Sequence, residues 1–91
     1  MQIISKKEEL ITKKLSQVIK KLIKEKTGYS ATKFAYSYDI EKSTVLRIQR
    51  GDVYCKLITI WKIANALGIK CSELISYIEN ELGEEFTLID E

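Results

Sequence analysis

Four side chains able to hold an anion, Lys42, Ser43, Arg47 and Arg50, fall in the stretch KSTVLRIQRG that ends at Gly51. Val45 and Ile48 interrupt them at a spacing of three, which gives a helix one buried stripe, so the polar residues and Leu46 are left facing outward. A short helix locked down by a few apolar residues, yet presenting short polar side chains and long cations, is suited to an anionic partner. Double-stranded DNA is the leading candidate, because Lys and Arg neutralise phosphates and Arg also pairs with base edges. Competing chemistry finds little support. The chain has no His, the commonest general base and metal ligand, and no Ser, Cys or carboxylate has an activating partner in sequence. Cys55 and Cys71 do not form a CxxC pair and read as free thiols. An enzyme is not expected, and neither a metal nor a cofactor is implied.

The elements that must position this helix are legible on both sides of it. Phe34 and Ala35 are the apolar neighbours of a preceding short helix, capped by the Ser30 hydroxyl and running to about Ser37. Tyr38 and Asp39 open a polar bend in which Ile40 stands alone, and Gly51 stops the second helix as a residue able to take the left-handed conformation. Upstream, Ile11, Leu15, Val18 and Leu22, flanked by Ile19 and Ile23, recur at three and four over a long amphipathic helix from about Lys6 to Lys26, closed by Gly28. Lysine pairs at Lys6-Lys7, Lys13-Lys14 and Lys20-Lys21 recur every seven residues beside that stripe and read as solubilising charge. Downstream of a DVYCK loop, Leu57, Ile60, Trp61, Ile63, Ala64 and Leu67 signal a fourth helix with Trp61 in the core and Gly68 as its stop. Leu74, Ile75, Ile78 and Leu82 give a fifth, beginning near Ser72 with Glu73 in its first turn and ending at Gly83. The tail EEFTLIDE carries Phe86, Leu88 and Ile89. It reads either as a short strand or as a segment tucked against the fifth helix, and periodicity does not separate the two.

A chain of 91 residues is one domain, long enough for one modest core. With no Pro and only 4 Gly, it lacks the residues that punctuate hairpins and loops, so an all-α fold follows. No apolar run approaches the roughly 18 residues of a membrane helix, and MQIISKKEEL lacks the sustained apolar core of a signal peptide. No membrane association is expected, and the expected location is cytoplasmic. The net charge of +2 conceals a division. Residues 1–51 carry twelve Lys and Arg against five acids, whereas residues 52–91 carry three Lys against eight acids. The basic half coincides with the outward-facing helix, as a phosphate-binding face requires.

The run from about Val18 to Ile75 resembles the lambda-repressor/Cro-like (XRE) helix-turn-helix family of DNA-binding transcriptional regulators. Phe34-Ala35 looks like the Leu-Ala pair of the family's second helix, Ile40 like the apolar residue closing its turn, and VLRIQRG from Val45 like its Arg-Ile-Glu-x-Gly signature. ITIWKIANALGI from Ile58 resembles its fourth helix. The resemblance implies a five-helix, all-α helix-turn-helix fold, to which the residues on either side add an extended first helix and a short apolar C-terminal tail, so residues 1–83 are expected to form the DNA-binding domain and residues 84–91 the tail. It implies that Lys42, Ser43 and Arg47 contact bases from the recognition helix 42–50 in the major groove, and that Thr32, Thr44 and Arg50 contact phosphates. The chain departs from the family pattern at four places. Ala31 replaces a frequent Gln, Glu41 replaces the small hydroxyl residue that would cap the recognition helix, Asp52 stands where a basic residue is common, and a buried Arg–Glu pair falls on Lys24 and Gln49.

One small helix-turn-helix unit binds weakly alone, so the reading extends to a homodimer on a pseudo-palindromic operator, with recognition helices about 34 Å apart. Leu82, Phe86, Leu88 and Ile89 are the expected contact, and an Ile4, Ile11, Leu15, Val18, Leu22 seam on the first helix is the runner-up. The alternative function is an antitoxin or accessory module that binds DNA weakly and another protein through the tail or first helix.

Overall fold

The computed structural model describes residues 6–51 and 56–89. The expectations for Ile4, Asp52 and Cys55 lie outside the described residues. Among those described, all regular structure is helical: α1 (Lys6–Thr27), α2 (Ala31–Ser37), α3 (Lys42–Arg50), α4 (Leu57–Ala66) and α5 (Cys71–Leu82). The 22 residues of α1 span about 33 Å at the α-helical rise. The other helices gather around them, α1 packing on α2, α3 and α5 while α2 meets α3 and α4 meets α5.

The apolar stripe of α1 supplies the floor of the core, with Leu15, Val18, Ile19, Leu22 and Ile23 buried. Phe34 and Ala35 of α2, Val45 and Ile48 of α3, Ile60, Ile63 and Ala64 of α4, and Leu74 and Ile78 of α5 close over it. Two polar residues of α1 are buried as well, Thr12 and Ser16. Each has its hydroxyl satisfied: Thr12 Oγ1 donates to the Glu9 carbonyl at 2.9 Å and Ser16 Oγ to the Gln49 carbonyl at 2.6 Å. Their small size lets α1 and the end of α3 approach closely, and a Cβ placed on Gly51 would lie 3.9 Å from Ser16 Cβ.

The structure corrects one expectation and sharpens two others. Trp61 is 52% exposed rather than in the core, and Leu57 is 61% exposed. LITIW is apolar at every position but Thr59, and Thr59 is itself half-buried, so its polar residue does not mark the outer face; Ile60, Ile63 and Ala64 occupy the inner one. The fifth helix starts at Cys71, one residue earlier than expected, where the Glu73 carboxylate accepts from the Lys70 N–H at 3.4 Å. Of the two readings of the tail, tucking is the one observed: Phe86 is half-buried and lines an apolar groove with Ile11, Leu15, Ile60, Ile78 and Leu82. Lys7 Nζ donates to the Ile89 carbonyl at 3.1 Å, which returns the tail to the start of α1.

Candidate nucleic-acid interface

The bend between α2 and α3 fixes the direction in which α3 leaves the core. Ser30 caps α2 as expected, its hydroxyl accepting from the Lys33 N–H at 3.2 Å. At the other end, the Tyr38 N–H donates to the Phe34 carbonyl and the Ile40 N–H to the Ala35 carbonyl at 2.9 Å. Asp39, between them, takes a left-handed conformation with φ of 54°, one of the few non-glycine types that tolerates it because its short polar side chain can bond locally. Ile40 then drops into the core, and Lys62 of α4 donates to the Asp39 carbonyl at 3.3 Å.

Along α3 the two-sided pattern is realised. Val45 and Ile48 are almost wholly buried, while Lys42, Ser43, Arg47 and Arg50 are exposed. Leu46, expected to face outward, is half-buried, as are Thr44 and Gln49. These intermediate positions flank the buried stripe, where packing by α1 and α2 covers more of the helix than two apolar residues suggest. Glu41 occupies the N-cap position without a side-chain capping bond. Its carbonyl receives the Thr44 and Val45 N–H groups at 3.1 and 3.2 Å, so the first-turn N–H groups of Lys42 and Ser43 have no capping side chain and remain suited to an incoming anion. Gly51, at φ of 73°, ends the helix and returns its N–H to the Ile48 carbonyl at 3.0 Å.

Thr32 sits half-buried in the first turn of α2, an element packed on α3. Close to it, Lys33 Nζ lies 4.6 Å from the centre of the Tyr29 ring. In place of the ion pair that the resemblance leads one to expect, Gln49 offers its main-chain carbonyl to Ser16, while Lys24 is exposed. Sequence reasoning set aside one group of residues that the structure brings to α3. Lys13, Gln17 and Lys20 of α1 line a cleft of about 500 Å³ together with Gln49, Arg50 and Gly51. Their spacing of four and three was the available signal, masked by the second lysine of each pair. Among the described residues, no group of three metal-ligating side chains occurs, and no helix is long and apolar enough to cross a membrane.

The family model of the Cro/C1-type helix-turn-helix DNA-binding domain matches residues 18–80, a span that contains α2 to α4, most of α5 and the C-terminal part of α1. Control protein C.MunI of a Mycoplasma species is 41% identical over 63 residues, which cover 69% of this chain and 85% of that protein. No solved structure gives a significant match.

Proposed function

This chain belongs to the Cro/C1-type helix-turn-helix family of DNA-binding domains, and from that premise we propose that it is a sequence-specific control protein that binds a pseudo-palindromic operator as a homodimer. DNA-binding transcriptional regulation is what the family and the relationship to a control protein support. The finer reading gives α3 the role of recognition helix in the major groove, with Lys42, Ser43 and Arg47 on base edges and Thr32, Thr44 and Arg50 on phosphates. The observation that carries it is the division of α3: Val45 and Ile48 are sealed in the core while Lys42, Ser43 and Arg47 stand exposed on a helix whose two ends are fixed. An α-helix with its side chains is about 10–12 Å across, which fits a B-DNA major groove about 12 Å wide. The working location is the cytoplasm, with the operator.

The homodimer is supported by exposed apolar surface. Trp61 and Ile75 share one cleft between α4 and α5, and Ile75 and Leu88 share the adjoining groove, so a continuous apolar strip runs from α4 to the tail. Leu57 and Ile58 are exposed as well, and their places four and three residues before Trp61 on α4 put them beside it. This strip includes the tail residue Leu88 that sequence reasoning favoured and adds α4, which it did not. The same strip favours a second reading, an accessory module that uses it to hold a different protein.

Selection of bound sites from a random DNA pool tests the proposal. Enrichment of a two-fold symmetric sequence is the expected result. Failure to enrich any sequence, together with co-purification of a second protein at fixed stoichiometry, would favour the accessory module instead.

A further inference from the structure

The lysine pairs of α1 look uniform in sequence, yet the fold separates their members into two rows with different surroundings. Adjacent residues on a helix lie 100° apart, and α1 packs on α3 along one flank and on α5 along another. Lys7 donates to the Ile89 carbonyl of the tail, and Lys21 lines a cleft with Glu25, Tyr77 and Glu81. Seven-residue spacing puts Lys14 between them on the same row, which therefore faces the acidic C-terminal part of the chain. The other row, Lys13 and Lys20 with Gln17 between, borders the end of α3 and shares its cleft with Arg50. Glu9 is the acidic side chain on that lining.

We propose that Lys13, Gln17 and Lys20 of α1, with Arg50 of α3, form a second phosphate-binding surface that follows the DNA backbone beyond the base pairs read by the recognition helix. The proposal rests on the DNA-binding reading and deepens it. Three features favour it. The side chains are exposed and long enough to reach an oxygen-rich backbone, and Gln17 adds a neutral donor between two cations. The row is rigidly registered to α3, because Ser16, between Lys13 and Lys20, donates to the Gln49 carbonyl at 2.6 Å. The cations also lie beside the C-terminal end of α3, where its dipole is negative and positive side chains are favoured before any DNA arrives.

Two double variants of equal charge change separate this surface from general electrostatic attraction. Lys13→Gln with Lys20→Gln removes the row beside α3, and Lys14→Gln with Lys21→Gln removes the row beside α5. The readout is the slope of log affinity against log salt on the selected operator, where each lost phosphate contact reduces the slope by about 0.9. The first variant is expected to reduce it by roughly 1–2 per subunit with unchanged base preference, and the second to leave it nearly as in the wild type. Neutral methylphosphonate linkages placed outside the base-read positions should weaken wild-type binding and leave the first variant indifferent. Equal slopes for the two variants, or methylphosphonate sensitivity that the first variant retains, would overturn the proposal while leaving operator recognition by α3 intact. Absence of any specific binding by the wild type would instead remove the reading on which it stands. Thermal unfolding of all forms excludes misfolding, since three of the four substituted side chains are exposed and Lys14 is half-buried.

Discussion

Lys62 Nζ donates to the Asp39 carbonyl oxygen at 3.3 Å, so a cation of α4 holds the turn that aims α3. Without it the turn would rely on the Ile40 anchor and on the two main-chain bonds to Phe34 and Ala35. An exposed hydrogen bond of this kind contributes about 1 kcal/mol or less to folding. Lys62→Met is therefore expected to lower stability by less than about 1 kcal/mol and to weaken operator binding severalfold through a looser turn. Asp39→Val tests the same turn more harshly, because a β-branched residue at φ of 54° is strained by about 1–2 kcal/mol. Urea unfolding followed by operator titration gives both numbers, and an unchanged affinity in Lys62→Met would mean that the bond does not position α3.

Dimerisation through the α4–α5 strip gives the second prediction. Trp61, half exposed in the single chain, would become a central aromatic anchor in an interface, the residue class in which truncation costs about 2 kcal/mol or more. Trp61→Ser is expected to raise the dimer dissociation constant by at least about tenfold while leaving the fold largely intact. Truncation after Gly83 removes Leu88 from the strip but also takes Phe86 out of its groove, so its effect on assembly is confounded with a stability loss. Sedimentation equilibrium of the Trp61 variant beside the wild type is the cleaner measurement. Equal association of the two would rule out this face as the dimer contact.

What could be read in the chain depended on whether a local signal identified a neighbour. The Ser30 cap, the left-handed Gly51 and the buried Val45–Ile48 pair follow from side-chain chemistry within a few residues, and all three are present as expected. Trp61 failed that test because LITIW offers an apolar residue on almost every side, and only the packing of α5 decides which of them is covered. The burial of Thr12 and Ser16 was equally hidden. Both lie beside the apolar stripe as ordinary polar residues until the end of α3 lands on them. The lysine pairs were visible but their roles were not, since a repeat of seven preserves two rows and says nothing of which faces α3 and which faces α5.

Glu41 makes the third prediction a gain rather than a loss. A Ser at an N-cap position contributes about 1 kcal/mol through its bond to a first-turn N–H, whereas Glu near a helix N-terminus contributes about 0.3–1 kcal/mol through the dipole. These nearly cancel, so Glu41→Ser should change folding stability by less than about 1 kcal/mol. Binding should respond more, because a carboxylate at the end of α3 that approaches the backbone is removed. Operator affinity is expected to rise severalfold, with the greatest gain at low salt where charge repulsion is least screened. Affinity that is unchanged at low salt would place Glu41 away from the phosphates.

Arg47 and Arg50 both project from α3 and both are exposed, yet their positions along the helix call for different roles. Arg47 lies on the side that carries Lys42 and Ser43, one turn beyond them, where a guanidinium can reach guanine O6 and N7. Arg50 lies at the helix end beside Gly51 and faces the cleft of Lys13, Gln17 and Lys20, where backbone phosphate is the partner proposed. Their variants should therefore fail differently. Arg47→Ala is expected to cost about 1–3 kcal/mol on the selected site and to flatten preference at one base pair per half-site. Arg50→Ala is expected to weaken all sequences alike and to reduce the salt slope by about one per subunit. Neither should perturb folding by more than about 0.5 kcal/mol, since exposed substitutions away from caps and cores rarely do. Competition against single-base variants of the operator, repeated over a range of salt, makes the comparison. If Arg47→Ala weakens every variant equally and keeps the base preference, the N-terminus of α3 meets the groove at another angle, and the uncapped Glu41 that precedes it is the first place to look for the cause.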